Sequence, residues 1–191
     1  MGLNIREIIP RKEIKISDLN GKMLCVDAFN TLYQFLSTIR QPDGTPLMDN
    51  KKRITSHLSG IFYRNIKLLS EGVKLIYVFD GEAPELKLKT HKKRKESRDI
   101  AKEKYESAKQ EEDIEEMKRY SSQLLRLDDE MIKESKELLE AMGIPVVQAP
   151  SEGEAEAAYL VRHKSEIYAA VSQDYDSLLF GTPLLIQNLT L

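Results

Sequence analysis

Acidic side chains follow four short apolar segments of this chain. These segments, residues 22–26, 74–79, 145–148 and 168–171, are bounded by Gly, Pro or polar residues, which predicts buried strands. Helical patterns lie between them, so the predicted sheet is mainly parallel, and the carboxyl ends of its strands share one edge. The acidic residues that follow the four segments are Asp27, Asp80, Glu152, Glu154, Asp174 and Asp176. We expect these six side chains to converge on one site.

A cluster of carboxylates at one edge of a sheet has a limited chemistry. Two like charges about 4 Å apart repel by roughly 4 kcal/mol at an effective dielectric constant near 20. Such a cluster persists only if it is protonated or binds cations. Ligands that are all oxygen favour Mg²⁺ or Mn²⁺ over zinc or copper. Two such ions stabilise the attacking and leaving oxygens of a phosphodiester, so the pattern predicts two-metal phosphodiester hydrolysis.

Helix capping is the alternative role for each of these acids. Asp27 and Asp80 occupy positions where an Asp often begins a helix, and Asp174 or Asp176 could do the same. Residues 151–154 also read as a capping box, with Ser151 at the cap and Glu154 three residues later. Four independent acidic caps at one sheet edge are less common than a single one, which favours the metal site.

Three helices and one more strand are predicted around this edge. The apolar spacing predicts helices over residues 28–39 and 55–69, and residues 151–163 form an alanine-rich helical pattern. Residues 184–186 are a fifth strand candidate. In the second helix the apolar stripe is expected to face the core, and it comprises Leu58, Ile61, Phe62, Ile66 and Leu69.

Residues 87–142 interrupt the alternation, because they contain no strand signal, no Gly and no Pro. Residues 87–104 carry nine basic and three acidic residues, whereas residues 105–117 carry six acidic residues and one basic residue. Two interpretations fit this charge pattern: a solvated helical hairpin stabilised by ion pairs, or a helix that contacts nucleic acid.

Composition excludes several classes of protein. The 191 residues are 41% apolar and 31% charged, with a net charge of −2, so the chain as a whole is not a basic nucleic-acid binder. Cys25 is the single cysteine, which excludes an internal disulfide and indicates an intracellular compartment. One cysteine and three histidines cannot build a Cys/His zinc site. No apolar run is long enough to span a membrane.

The motifs around the acidic residues resemble those of the structure-specific 5′ nucleases, and most closely the flap endonucleases. The resemblance covers nearly the whole chain in the right order. The form of residues 173–176 and of residues 42–44 resembles the archaeal rather than the eukaryotic proteins. The matching stretches are residues 26–28, 33–36, 39–41, 55–58, 78–81, 142–145, 149–156 and 172–176.

This resemblance implies a fold and an activity. The fold is a three-layer α/β (PIN-like, 5′-nuclease) fold with a mainly parallel sheet and an inserted helical arch. Residues 1–86 and 131–191 would form the nuclease regions, and residues 87–130 the arch. The activity is cleavage of 5′ flaps in branched DNA during Okazaki fragment maturation and repair, together with 5′–3′ exonuclease activity. Two Mg²⁺ ions, replaceable by Mn²⁺, would be held by the six carboxylates directly or through water.

The resemblance also implies roles for basic and surface residues. Lys87 and Arg94 match the catalytic basic residues at the base of the arch, and their spacing of seven puts both on one helix face. Tyr33 matches a residue that stacks on a base, and Arg40 matches one that holds a phosphate. The residues expected to contact DNA are Gly2, Tyr33, Arg40, Leu47, Met48, Thr55, Lys92 and Lys93.

The resembling family extends beyond the last residue of this chain. Its further part supplies another Asp to the metal site, a duplex-binding helical element with a potassium ion, and a peptide that binds the sliding clamp (PCNA). We therefore expect a chain that is truncated at its carboxyl terminus. The resemblance also implies a monomeric protein, which would be cytoplasmic if archaeal and nuclear if eukaryotic. Three alternatives remain: another 5′ nuclease of exonuclease or repair type, a non-catalytic DNA-binding fragment, and a small-molecule phosphatase.

Overall fold

The computed structural model describes residues 5, 7–42, 44–82, 88–111, 113–124 and 126–189. For residues 88–98, 114, 118, 122 and 123 the description covers the backbone only. Among the described residues, no helix combines the length and the apolar character needed to cross a membrane.

Five parallel strands form one sheet, as the sequence predicts. Their order across the sheet is β3-β2-β1-β4-β5, so β1 lies at the centre, paired with both β2 and β4. Because all the pairs are parallel, the carboxyl ends lie at one edge. The strands are β1 Met23–Asp27, β2 Lys74–Phe79, β3 Val146–Gln148, β4 Ile167–Val171 and β5 Leu185–Ile186.

Helices connect the strands, and a short 3-10 helix, Ile16–Leu19, precedes β1. In the described part of the chain, only helices lie between β2 and β3, which confirms the predicted interruption of the alternation. The α-helices are α1 Ala28–Thr38, α2 Ser56–Ser70, α3 Leu88–Gln110, α4 Ile114–Gln123, α5 Asp129–Ala141, α6 Gly153–His163 and α7 Asp176–Leu179.

The chain divides into two compact units. The first, here called the sheet unit, comprises Met1–Thr31, Phe62–Glu82 and Lys136–Leu191. The second, the helical unit, comprises Leu32–Ile61 and Ala83–Ser135. This division follows spatial contacts and cuts through α1, α2 and α5, whereas the division at residues 86 and 130 follows sequence patterns and stays a proposal.

The core of the sheet unit lies between α6 and the strands β1, β2 and β4. Ala157 and Ala158 are buried on α6, and their small side chains let the helix approach the sheet closely. Cys25 and Val78 lie in the same apolar cluster from the strand side. Burial raises the pKa of the Cys25 thiol to about 12, so this cysteine is chemically inert at neutral pH.

The buried face of α2 differs from the predicted stripe. His57, Ile61, Asn65 and Leu68 are at most 2% exposed, whereas the expected core residues Phe62, Ile66 and Leu69 are 39–43% exposed. The prediction was wrong because it assigned polar residues to the surface. The buried face carries two of them, and Asn65 is stabilised there because its Oδ1 accepts a hydrogen bond from the Tyr77 hydroxyl at 2.9 Å.

In the helical unit, α3 packs against α4. The carboxylate of Asp113 begins α4 by accepting hydrogen bonds from the amides of Glu115 and Glu116, both at 3.0 Å. The Lys104 ammonium and the Arg119 guanidinium each lie 5.6 Å from the Tyr120 ring centroid. The predicted helical hairpin is therefore present, and the cation–π contact of Lys104 with Tyr120 joins its two helices, whereas that of Arg119 lies within α4.

The sequence predicts that Gly143 stops the helix before Pro145, and α5 does end just before this glycine, at Ala141. Gly143 has a φ of +73°, its amide donates to the Glu140 carbonyl, and the Ile144 amide donates to the Leu139 carbonyl. These two bonds define a Schellman motif, and the side chains of Leu139 and Ile144 are both buried.

Replacing Gly143 by Ala is expected to lower the free energy of unfolding by about 1 kcal/mol, because a β-carbon disfavours positive φ. A β-carbon at this position would meet no atom within 4 Å, so backbone strain is the only cost. Urea unfolding of Gly143→Ala and Gly143→Asn tests this, since Asn tolerates the left-handed region and should lose less. Equal stability of the wild-type and Ala proteins would contradict the prediction.

Candidate active site

The predicted acidic residues all belong to the sheet unit, at the carboxyl ends of its strands. Asp27 is the last residue of β1, and Asp80 directly follows β2. Glu152 and Glu154 lie at the start of α6, which follows β3. Asp174 follows β4, and Asp176 is the first residue of α7. The parallel topology therefore brings four separate segments to one edge.

Asp27 is the most deeply buried of these carboxylates, with 6% of its surface exposed. Its Oδ1 accepts a hydrogen bond from the Asn30 amide at 3.1 Å, so it also caps α1. Burial, followed by the negative charges of Asp80 and Asp174, raises the pKa of Asp27 to about 7, although hydrogen bonds from Asn30 and Ser172 lower it. A carboxylate in this position is stabilised by bound cations.

Glu154 is coupled to Asp27 through the hydroxyl of Ser172. Ser172 Oγ lies 3.2 Å from Glu154 Oε1 and 3.4 Å from Asp27 Oδ2, and a single hydroxyl proton serves one carboxylate at a time. Burial raises the pKa of Glu154 to about 8, followed by the charges of Asp27, Asp176 and Asp174. The single hydroxyl of Ser172 therefore cannot stabilise the negative charges of Asp27 and Glu154 at the same time.

Asn30 holds the ends of β1 and β4 together. Its backbone amide donates to Asp27, its side-chain Nδ2 donates to Asp174 Oδ2 at 3.2 Å, and its Oδ1 accepts from the Gln173 amide at 3.1 Å. Sequence reasoning missed both Asn30 and Ser172. The available signal was their position, one helical turn after Asp27 and directly after β4.

Asp80 is held by the backbone at the start of α6. Its Oδ1 accepts a hydrogen bond from the Gly153 amide at 2.6 Å. A β-carbon at position 153 would lie 2.7 Å from this oxygen, and one on Gly81 would lie 2.2 Å from the Ala149 carbonyl oxygen. Both glycines are therefore required by close approach around Asp80.

Most of the alternative capping roles are not realised. The N-cap of α6 is Glu152, which makes no side-chain capping bond, and Ser151 instead donates to the Glu82 carbonyl at 3.0 Å. The capping box over residues 151–154 is therefore wrong. The N-cap of α7 is Tyr175, also without a side-chain capping bond. Among the carboxylates at this edge, Asp27 caps the helix that follows it, and Asp80 bonds the first amide of α6.

The carboxylates fit a hard divalent ion by the kind of donor atom they offer, not by being gathered around a single point. They offer only oxygen, and burial, followed by the neighbouring negative charges, raises the pKa of Asp27 and of Glu154. Within the described residues, no three Asp, Glu, His or Cys side chains are arranged so that they could hold one ion together. Mg²⁺ takes one or two carboxylates directly and keeps several waters, so it does not require such a group of three.

Several of the expected DNA contacts lie in the helical unit. Tyr33 on α1 is 42% exposed and Met48 is 43% exposed, while Leu47 and Thr55 are half-buried. Backbone bonds connect the two ends of residues 47–55: the Thr55 amide donates to the Leu47 carbonyl, and Met48 forms a β-bridge with Ile54. An exposed ring and an exposed thioether are available for contact.

Arg40 is engaged within the helical unit. Its Nε donates to the Leu36 carbonyl at 3.0 Å, and its Nη1 donates to the Gly44 carbonyl at 2.7 Å and to Ser121 Oγ at 2.6 Å. Its Nη2 is buried without a hydrogen-bond partner. A phosphate contact through Arg40 would therefore require this side chain to exchange some of these bonds.

The remaining predicted residues lie partly or wholly outside the described part. Gly2 and Lys87 are outside the described residues. Lys92, Lys93 and Arg94 belong to α3, where only their backbone is described.

The fold and the acidic edge define a class of protein. Residues 4–101 match the XPG N-terminal domain, and residues 143–191 match the XPG I-region. The chain therefore belongs to the XPG family and has the 5′-nuclease fold of that family, which confirms the predicted α/β class.

The relatives of the chain are flap endonucleases and related nucleases. It is 58% identical to flap endonuclease 1 of Pyrococcus furiosus, over all of this chain and 56% of that protein. It resembles the structure of flap endonuclease-1 from Methanococcus jannaschii with a TM-score of 0.75 and 46% identity, over 99% of this chain and 60% of the other. The catalytic core of Rad2 in complex with DNA substrate matches with a TM-score of 0.65 and 30% identity, over 93% of this chain and 45% of that one. The chain spans about half the length of the curated relatives that it matches.

Proposed function

We propose that the protein is a structure-specific endonuclease that cleaves 5′ flaps in branched DNA by two-metal phosphodiester hydrolysis. The observation that carries this proposal is the convergence of acidic residues from four segments at one edge of the sheet, where Ser172 Oγ lies 3.2 Å from Glu154 Oε1 and 3.4 Å from Asp27 Oδ2. The high identity to proteins named flap endonuclease 1 supports the choice of substrate. 5′–3′ exonuclease activity and roles in Okazaki fragment maturation and repair belong to the same proposal.

Two Mg²⁺ ions, which Mn²⁺ replaces, would be held at this edge directly or through water. When bound, such ions supply stabilisation of the attacking and leaving oxygens of the phosphodiester. The proposed ligands are Asp27, Asp80, Glu152, Glu154, Asp174 and Asp176.

Neighbouring residues of the chain would keep these carboxylates ready to bind. Asn30 orients Asp27 and Asp174 through the bonds described above, and the Gly153 amide orients Asp80. Ser172 donates its hydroxyl proton to Asp27 or to Glu154, which reduces their repulsion before an ion arrives. Holding the groups in advance lowers the reorganisation needed at the moment of reaction.

Basic and surface residues would bind the nucleic acid. Lys87 and Arg94 are proposed to contact the scissile phosphate, because a guanidinium and an ammonium together neutralise its developing charge. The exposed ring of Tyr33 would stack on a base. Further contacts are proposed for Gly2, Arg40, Leu47, Met48, Thr55, Lys92 and Lys93.

The partners and the location follow from the same proposal. They are branched DNA and, through a segment beyond these residues, the sliding clamp, in an intracellular and monomeric protein. The division into nuclease regions at 1–86 and 131–191 with an arch at 87–130 stays part of it.

An incision assay tests the activity directly. The protein is incubated in Mg²⁺ with 5′-flap, nicked and single-stranded DNA that share one labelled strand, and then again with EDTA. We expect cleavage near the base of the flap, much weaker cleavage of the nicked and single-stranded substrates, and none with EDTA. Preferential cleavage of the nicked substrate would favour an exonuclease-type relative. DNA binding without any incision would favour a non-catalytic DNA-binding protein.

A further inference from the structure

Gln148 connects the end of β3 to the end of β2 beyond the last paired residues of the two strands. The ladder ends where Phe79 pairs with Gln148. The side chain of Gln148 then continues it, because its Nε2 donates to the Asp80 carbonyl at 2.6 Å and lies 3.3 Å from the Phe79 carbonyl oxygen. β3 is an edge strand of three residues, and this side-chain bond adds to backbone bonds such as the one from the Ala149 amide to the Phe79 carbonyl at 2.9 Å.

Lys136 on α5 decides which way the Gln148 amide faces. Its ammonium donates to Gln148 Oε1 at 2.6 Å and lies 4.9 Å from the Phe79 ring centroid. An ammonium has only donors, so it fixes the amide oxygen on its own side and leaves the NH₂ group for the Asp80 carbonyl. The attraction between the ammonium and the ring holds the lysine in this place.

Both the backbone carbonyl and the side-chain carboxylate of Asp80 are therefore held by hydrogen bonds. Its carbonyl oxygen accepts from Gln148, and its carboxylate oxygen Oδ1 accepts from the Gly153 amide at 2.6 Å. The Gly81 amide donates to the Ser151 carbonyl at 2.6 Å and holds the residue that follows. Loss of the Gln148 bond releases the backbone from which the carboxylate projects, and a small rotation there displaces Oδ1.

We propose that Lys136 and Gln148 are positioning residues that act through each other to hold Asp80 at the acidic edge. The inference rests on the proposed metal site and names two residues of this chain that support it. Neither residue would touch the nucleic acid or an ion. Supporting groups of this kind change metal affinity by about 10–100-fold when they are removed.

The test combines a metal-free readout with a metal-binding readout. In the metal-free protein, the Gly153 amide proton resonance reports the bond to Asp80, and titration calorimetry with Mn²⁺ reports affinity. Gln148→Ala is expected to move the Gly153 resonance upfield and to weaken Mn²⁺ binding by about tenfold. Lys136→Met, which keeps the aliphatic stem, should change both readouts in the same direction but less, and Lys136→Arg should restore them.

Lys133→Met is the matched control, because Lys133 is exposed on the same helix one turn earlier. It should leave both readouts at their wild-type values. Two results would overturn the positioning role of Lys136 and Gln148, here called the relay. One is an unmoved Gly153 resonance in a folded Gln148→Ala protein, and the other is equal effects of Lys133→Met and Lys136→Met. A wild-type protein that takes up no Mn²⁺ would instead overturn the proposed metal site, and the Gly153 resonance would still decide the relay.

Discussion

Replacing Asp27 by Asn is expected to reduce flap cleavage by at least about 10³-fold, because the stabilisation that a bound metal supplies amounts to several kcal/mol. The same change is expected to make the metal-free protein more stable. Asp27 is buried among negative charges, and Asn removes its charge while keeping an oxygen that can accept from the Asn30 amide. A site that loses function and gains stability on one substitution is typical of a strained functional centre.

The sign of the stability change follows from the raised pKa. Burial raises the pKa of Asp27 from its ordinary value of 3.8 to about 7 in the folded protein, so ionisation of this carboxyl opposes folding increasingly between these two values. The penalty above pH 7 is at most about 4 kcal/mol, from 1.36 kcal/mol for each pH unit between the two values. The stabilisation by Asn should therefore be largest at pH 8 and should shrink as the pH falls towards 4.

Asp113→Asn is a matched control for this prediction. Asp113 caps α4 through its carboxylate as Asp27 caps α1, but it lies in the helical unit. Cleavage in Mg²⁺ and thermal melting in EDTA at pH 8 and pH 5 are measured for both variants. Asp113→Asn should cleave at the wild-type rate. Wild-type cleavage by Asp27→Asn would contradict the metal site, and a lower melting temperature at pH 8 would contradict the electrostatic account of Asp27.

Replacing Arg94 by Ala is expected to slow the chemical step by roughly 10²–10³-fold, the range for loss of one preorganised donor to a transition state. A guanidinium contributes two parallel bonds to a phosphate, so Lys at this position should restore only part of the rate. The effect on DNA binding should be smaller, because the other basic residues of this stretch keep the attraction to phosphate. Single-turnover cleavage and equilibrium binding, measured at one salt concentration, separate the two effects.

Lys109→Ala provides the control for charge alone, because Lys109 lies in the last turn of the same helix. This variant should cleave at close to the wild-type single-turnover rate. If Arg94→Ala and Lys109→Ala lost activity equally, the effect would be a general one of helix charge. An unimpaired Arg94→Ala protein would remove Arg94 from the proposed mechanism.

The sequence by itself determined the sheet and the place of its acidic edge. Short aliphatic segments between polar and glycine boundaries have few alternatives to a buried strand, and β2 was predicted at its observed bounds. Acidic residues that follow parallel strands must share an edge, so the sequence alone predicts that Asp27, Asp80 and Asp174 lie at one edge. The stop at Gly143 was also readable, because a glycine followed by Pro145 ends a helix by local chemistry alone.

Only the tertiary structure decided what surrounds those acids. Asn30 and Ser172 are ordinary polar residues in the sequence, and their bonds to Asp27, Asp174 and Glu154 form only when β1, β4 and the start of α6 lie together. The raised pKa values depend on burial and on charges from distant segments. The buried face of α2 could not be read either, because periodicity counts apolar residues, whereas Asn65 is buried by a hydrogen bond to Tyr77 on a neighbouring strand. Local patterns encode what a segment forms, but partners far apart in the chain decide which of its faces is buried and which groups ionise.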